Sequence, residues 1–214
     1  MWAMSYMNQE HLIVEALQVL ESGGVVLHPT ETCYGLAADI FYPQAVEKIY
    51  LLKEMAREKP VSIMVSDFDQ AKKYGHFDER AEKLARAFWP GPLTIIVKRS
   101  DKLPSYINPG IDSVGIRCPD HAFTMEMLRR FEEPLITTSA NRTKEPQAYE
   151  VDEFLEGRME DMIPDFIVDM GRIPQTPPST IVDLSGESGV GMVILMSVLR
   201  NWHVRSGLAH SRLS

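Results

Sequence analysis

Short apolar runs rich in Val, Ile and Leu interleave with segments whose apolar residues recur at helical spacing, along nearly the whole chain. This alternation constrains the fold more than any other feature. It predicts an α/β domain with a substantial mixed sheet. Strands are expected over residues 25–27, 61–65, 93–98, 114–117, 134–138, 166–169 and 179–184, with a last apolar run at 192–199. Helices are expected over 10–22, 67–74, 78–88, 122–130 and 151–155. Another opens at Tyr42-Pro43 and carries Ala45, Val46, Ile49, Tyr50 and Leu52 on one face, with Lys53 near its end. Trp89-Pro90-Gly91-Pro92 is too rich in Pro and Gly for a regular element. No repeat, low-complexity tract or linker divides the chain. A single domain is expected over 8–204, followed by a disordered polar tail at 205–214.

Composition narrows the chemistry. The chain has 214 residues, 44% hydrophobic and 24% charged, with a formal net charge of −8. The length is enough for a sizeable core without staples. The acidic balance argues against gripping nucleic acid by bulk charge, although a local basic cleft is compatible with it. The 2 cysteines, Cys33 and Cys118, match no metal spacing, and both read as small buried apolar side chains. No signal-peptide pattern and no membrane-length apolar window occur, so a soluble cytoplasmic protein without membrane contact is the expectation.

One stretch concentrates polar groups. Gly23-Gly24-Val25-Val26-Leu27-His28-Pro29-Thr30-Glu31-Thr32-Cys33-Tyr34-Gly35-Leu36 reads as a buried strand running into a hydroxyl-rich turn. Pro29 lacks an N–H and should end a central strand. Thr30, Thr32 and Tyr34 alternate, and in an extended segment their hydroxyls would point the same way. Gly35 permits close approach of another backbone or a ligand. Other strand ends offer Arg117, Thr137-Thr138-Ser139-Ala140-Asn141 and Ser179-Thr180. Ligands collect beyond strand ends in open α/β sheets. Hydroxyls and amides orient a polar molecule there, and Arg and Lys neutralise phosphate or carboxylate.

Absent motifs exclude several chemistries. There is no Gly-x-x-x-x-Gly-Lys-Ser/Thr, no Gly-x-Gly-x-x-Gly and no Gly-x-Ser-x-Gly elbow. No His/Cys/Asp cluster has zinc spacing, and the 6 histidines are scattered. Structural readings stand beside the functional ones. Hydroxyls after a strand also cap turns. Arg117 beside its proline also suits a surface ion pair, and Lys53 with its charged neighbours also suits a solvated face. Phe88 and Trp89 read as core rather than as a stacking platform. Composition and spacing alone lead to an α/β domain with a polar cleft suited to phosphate.

Pro29-Thr30-Glu31-Thr32-Cys33-Tyr34-Gly35-Leu36 resembles the Pro-Thr-Asp/Glu-Thr-x-Tyr-Gly-Leu motif of the YrdC-like threonylcarbamoyl-AMP synthase family. Further segments follow in family order. Phe88-Trp89-Pro90-Gly91-Pro92-Leu93-Thr94 is similar to its Trp-Pro-Gly-Pro-Leu-Thr block. Val114-Gly115-Ile116-Arg117-Cys118-Pro119 resembles its Val-x-Val-Arg-x-Pro strand. Pro134 to Asn141, with Arg142 and Pro146, resembles its Ser-Ala-Asn loop, and Pro178-Ser179-Thr180-Ile181-Val182-Asp183 its Pro-Ser-Thr-Val-Val-Asp strand. The likeness covers residues 12–200 and implies the family's fold, a twisted mixed sheet flanked by helices around a concave ligand cleft, with the shorter form of the family, without a further domain after the last strand, as the expectation.

The resemblance implies a nucleotidyltransferase that joins L-threonine, bicarbonate and ATP into threonylcarbamoyl-AMP and pyrophosphate. Magnesium would accompany ATP, and a separate transferase complex would pass the group to tRNA. It implies that Thr30, Thr32, Tyr34 and Ser179 hold threonine. It implies that Lys53, Arg117, Thr138, Ser139, Asn141 and Arg200 serve nucleotide and phosphate. No acidic pair stands out as a protein-borne metal site. One segment departs from the pattern. The family carries Lys-x-Arg and then Pro, whereas this chain has Lys53-Glu54-Met55-Ala56-Arg57-Glu58-Lys59-Pro60. Met55 cannot neutralise a phosphate. Either Arg57 or Lys59 supplies the charge, or ATP binds more weakly, or the chain binds nucleotide or RNA without making the adenylate.

Overall fold

The computed structural model describes residues 2–186. The apolar run at 192–199, Arg200 and the tail at 205–214 lie outside the described residues. Helix α1 (Trp2–Glu21) leads into strands β1 (Val25–Pro29) and β2 (Tyr34–Asp39), then α2 (Pro43–Leu52) and β3 (Ser62–Met64). Next come α3 (Phe68–Tyr74), β4 (Gly75–His76), α4 (Glu79–Phe88), β5 (Leu93–Arg99) and β6 (Ser113–Arg117). The described chain closes with α5 (Ala122–Phe131), β7 (Leu135–Ser139), α6 (Val151–Leu155), a single 3-10 turn at Glu160–Met162, β8 (Phe166–Ile167) and β9 (Thr180–Asp183).

Local chemistry sets these boundaries. Gly23 takes φ +76°, a left-handed conformation cheap for glycine. Its N–H bonds Leu20 O at 2.9 Å, and Gly24 N–H bonds Val19 O at 2.8 Å. That pair of bonds is a Schellman stop for α1. Asp67 and Asp78 cap α3 and α4 by accepting from Gln70 N and Ala81 N. Pro43 begins α2, where its missing N–H costs nothing. Strand β4 has only two residues, too short for a period-2 pattern to reveal.

The sheet is mixed, in the order β4-β5-β6-β3-β7-β2-β1-β8. β1 pairs antiparallel with β2, β2 with β7, β7 with β3 and β6 with β5, while β3–β6, β1–β8 and β5–β9 are parallel. β9 runs along the first residues of β5 and β4 along its last, so both share one edge of that strand. β1 and β2 are buried throughout. Covered on both faces, they read as continuous apolar runs rather than alternating ones. Leu27, Leu36, Ile63, Ile95, Ile116 and Ile136 are all inaccessible at the centre of the core. Among the described residues no helix is long and apolar enough to cross a membrane.

The register creates a polar patch on one sheet face. Cross-strand partners share a face, and so do residues two apart on a strand. Thr94 faces Arg117 on one side and Ile181 on the other. Gly115 faces Ser62, which faces Thr137. Gly35 faces His28 and Ser139. Following the partners across β5, β6, β3, β7 and β2 keeps this set on a single face. That face forms the floor of a cleft.

Candidate functional site

The cleft holds about 240 Å³ and is lined by Thr30, Thr32, Cys33 and Gly35 from the β1–β2 hairpin. Ser62, Thr94, Arg117, Thr137, Thr138 and Ser139 line it from the sheet, and Gln147, Pro178 and Ser179 from the loops above. Hydroxyls dominate, and among the described residues Arg117 is the one lining residue with a permanent charge.

The hairpin loop is a turn and not a continuation of the strand. Residues 31–33 bend. Thr30 Oγ1 donates to Cys33 O at 2.7 Å and accepts from the N–H groups of Thr32 and Cys33 at 3.2 Å each. Its hydroxyl therefore builds the turn, as the capping reading of such residues expects. Thr32 Oγ1 lies 3.0 Å from Thr30 Oγ1 and accepts from Arg117 Nη2 at 3.1 Å. Because the loop bends, Tyr34 does not share a direction with the threonines. Its hydroxyl donates to Gly171 O at 2.8 Å and accepts from Met170 N at 3.0 Å, and the residue does not line the cleft. Tyr34 instead ties down the segment that leads to Ser179. Thr176 Oγ1 helps by donating to Glu31 O at 2.9 Å. Ser179 Oγ sits 3.3 Å from Thr94 Oγ1 across the cleft.

Arg117 ends β6, with 11% of its side chain exposed, and its Nη2 lies 2.6 Å from Glu31 Oε1. Among the described residues Arg117 Nε has no hydrogen-bond partner, and neither Glu31 oxygen accepts an aligned bond. A buried guanidinium with a spare donor suits a carboxylate or phosphate ligand.

Lys53 follows α2 and is 4% exposed. Its Nζ donates to Ser139 O at 2.5 Å, Asn141 O at 3.0 Å and Asn141 Oδ1 at 3.2 Å. Ser139 Oγ donates to Asn141 Oδ1 at 2.6 Å, and Asn141 Nδ2 donates to Arg142 O and Glu145 O. Lys53 and Asn141 thus hold the Ser-Ala-Asn loop in shape, and neither lines the cleft. Burial lowers the Lys53 pKa to about 8. The unfolded chain keeps this proton up to the ordinary value of 10.5. Between those values the unfolded chain binds more protons, so this group makes stability rise with pH over that window. Chemical denaturation of wild type and Lys53→Met at pH 7.5 and 10 should therefore show wild type gaining relative to the variant at the higher pH.

The charges after Lys53 divide. Met55 packs against the core. Arg57 forms an ion pair with Glu47 and stacks 4.8 Å from the Tyr50 ring centroid, away from the cleft. Lys59 is exposed and immediately precedes Pro60, a lining residue. Arg200 lies outside the described residues. Both cysteines are buried and free. Burial raises the Cys33 thiol and pushes Cys118 up to about 12, so neither is a thiolate near neutrality. Among the described residues no group of His, Cys, Asp or Glu gathers for a metal ion.

Ser62, Thr94 and Gln147 are lining residues that spacing arguments passed over. Ser62 and Thr94 are polar interruptions in otherwise apolar strands, and that interruption is the signal that marks them. Gly115 lies beside both on the same sheet face, beneath the lining side chains. A Cβ there would lie 2.4 Å from Ser62 Oγ and 3.2 Å from Thr94 Cγ2. Gly115→Ala should cost about 1–3 kcal/mol in stability through overpacking and weaken cleft ligands about tenfold. Adding Ser62→Ala should restore stability in a denaturation curve without restoring affinity in a titration.

Comparison with known proteins assigns the chain. A family model described as "Telomere recombination", Sua5/YciO/YrdC, matches residues 18–195. The chain belongs to the Sua5/YciO/YrdC family. It is 34% identical over 186 residues to a human protein named threonylcarbamoyl-AMP synthase, covering 83% of this chain and 64% of that protein. It is 33% identical over 181 residues to a Pyrococcus abyssi protein of the same name, covering 83% of this chain and 52% of that protein. A crystal structure of P. abyssi Sua5 complexed with L-threonine superposes with a TM-score of 0.77 at 31% identity, over 85% of this chain and 52% of that one. The chain thus spans between half and two thirds of these relatives. The Sua5/YciO/YrdC match covers every strand described here and leaves out most of α1.

Proposed function

We propose that this chain is an L-threonylcarbamoyladenylate synthase, making threonylcarbamoyl-AMP and pyrophosphate from L-threonine, bicarbonate and ATP. The observation that carries this reading is the buried Arg117 guanidinium in a hydroxyl-lined cleft, with an Nε donor that none of the described residues engages. The same name on the human and archaeal relatives supports it. Such a reaction needs no protein nucleophile. The threonine amine attacks the bicarbonate carbon and water leaves. A carbamate oxygen then attacks the α-phosphorus as the bond to pyrophosphate breaks. Both steps depend on alignment and on cations that stabilise phosphate charge.

Thr32 and Ser179 would orient threonine, and Arg117, Thr138 and Ser139 would face the nucleotide. Lys59 is the cation best placed beside Pro60 to answer for Met55. Thr30, Tyr34, Lys53 and Asn141 would act by holding the turn, the strap and the Ser-Ala-Asn loop. Magnesium would arrive on the phosphates of ATP and neutralise them. The lining hydroxyls fit that role, since Glu31, the carboxylate beside the cleft, is turned to Arg117. The product would go to tRNA through a cytoplasmic transferase.

The test is pyrophosphate release by the purified chain with each substrate withheld in turn. Release that needs both threonine and bicarbonate supports the synthase. A second reading is a diverged relative that binds nucleotide or RNA without forming the adenylate. The packing of Met55 against the core and the outward pairing of Arg57 favour it. Normal ATP binding with no pyrophosphate release would establish this second reading.

A further inference from the structure

The strap between β8 and β9 carries Ile173-Pro174-Gln175-Thr176-Pro177-Pro178, a stretch that no motif singles out. Thr176 is half-buried there, and its hydroxyl reaches across to the hairpin turn. Oγ1 lies 2.9 Å from Glu31 O and 3.2 Å from Thr32 O, so one proton is shared by two carbonyls. Those carbonyls belong to the two peptide units on either side of Thr32 Cα. The N–H side of the same turn is held from within by Thr30 Oγ1, which accepts from Thr32 N and Cys33 N. Two threonine hydroxyls therefore clamp the turn, one on each side of its backbone. The residues they clamp are the ones that meet Arg117. Glu31 Oε1 lies 2.6 Å and Thr32 Oγ1 3.1 Å from Arg117 Nη2. On the strap side, Tyr149 Oη donates to Thr176 O at 3.2 Å. Pro177 and Pro178 then lead to Ser179 in the cleft wall. Each proline fixes its own φ and holds the residue before it away from the helical region. Such a stiff link passes any shift of Thr176 on to Ser179, whose Oγ sits 3.3 Å from Thr94 Oγ1.

We propose that Thr176 is a positioning residue whose hydroxyl fixes the separation between the Thr32–Arg117 wall of the cleft and the Ser179 wall. It touches no reacting atom. It acts through backbone carbonyls on one wall and through the Pro-Pro link on the other. Thr30 does not substitute for it, because that hydroxyl already gives its proton to Cys33 O. A reaction without a protein nucleophile depends on how the walls align its substrates, and a misplacement of about 1 Å costs on the order of a hundredfold in rate. Stability depends on Thr176 far less. The strap is held as well by Tyr34 Oη, through Met170 N and Gly171 O, and by Ile173 N, which donates to Tyr149 O at 2.8 Å. The proposal rests on the reading that this cleft forms the adenylate.

The test is steady-state pyrophosphate release by full-chain wild type, Thr176→Val and Thr176→Ser, with urea denaturation of the same samples. Valine keeps the shape and removes the donor, whereas serine keeps the donor. Thr176→Val should lower kcat about tenfold or more while KM for ATP and the urea midpoint stay nearly unchanged. Thr176→Ser should retain kcat within about threefold of wild type. Wild-type kcat in Thr176→Val, a loss confined to KM, or a loss in Thr176→Ser as deep as in the valine variant overturns the positioning role and leaves the proposed function standing. So does a kcat that falls only in step with the fraction of folded protein. Wild type that releases no pyrophosphate overturns the proposed function and the positioning role with it.

Discussion

Arg117→Ala is expected to lower pyrophosphate release by roughly a hundredfold or more, the scale seen when a preorganised charge-stabilising donor is removed from an enzyme site. Among the described residues no other cation lines the cleft, so none of them compensates from within it. The same change should also destabilise the fold. Arg117 and Glu31 are 11% and 17% exposed, and removing one partner of a buried pair costs about 3–5 kcal/mol by stranding the other. The two losses separate in a double variant. Arg117→Met with Glu31→Gln strands no charge and should recover most of the stability in a urea titration. Its pyrophosphate release should stay as low as that of Arg117→Ala. Arg117→Lys should fall between, because a point charge cannot reach Glu31, Thr32 and a ligand with one planar fork. Equal recovery of stability and turnover in the double variant would assign Arg117 a purely structural part.

The second large effect is acid lability from His28. Burial lowers its pKa to about 3 from an ordinary 6.5, with the His121 and Arg117 charges adding to the effect and the Pro29 carbonyl opposing it. Between these values the unfolded chain holds the proton and the folded chain does not. Stability from this group is therefore complete above pH 6.5 and is lost as the pH falls toward 3. A separation of about 3.5 pH units corresponds to about 5 kcal/mol when fully expressed, and to nearly 3 kcal/mol by pH 4.5. Wild type and His28→Phe should be compared by denaturant titration at pH 7 and pH 4.5. Carboxylates titrate in both proteins, so the difference between them isolates the imidazole. That difference should move in favour of the variant by about 3 kcal/mol on acidification. Parallel profiles would mean that His28 takes up its proton as readily in the folded chain as in the unfolded one.

Much of the fold was legible because its signals are local. The Gly23-Gly24 stop, the Asp67 and Asp78 caps, Pro43 at the head of α2 and the Pro-Gly interruption after Trp89 all act within a few residues. The mixed sheet followed from alternation of element types. What failed to show was direction. The spacing of Thr30, Thr32 and Tyr34 suggests one shared face only if the strand continues through them. The turn built by Thr30 ends that continuity and sends Tyr34 to the Met170–Gly171 backbone. The resemblance makes Lys53 a phosphate ligand and its charged neighbours suggest a solvated face, whereas in the fold its ammonium donates to carbonyls brought from almost ninety residues away. Arg57 likewise finds Glu47 one helix turn and a loop behind it. Such pairings depend on tertiary placement, which spacing does not encode. Arg117, by contrast, combines a strand end with permanent charge, and the fold puts it where both suggest.

The most direct measurement is incubation of the purified chain with ATP, magnesium, L-threonine and isotopically labelled bicarbonate, followed by mass spectrometry of the nucleotide fraction. A synthase with this cleft yields threonylcarbamoyl-AMP carrying the label in its carbamoyl carbon, and Arg117→Ala yields almost none. ATP binding with no labelled adenylate from wild type would contradict the proposal that this site joins threonine to the nucleotide.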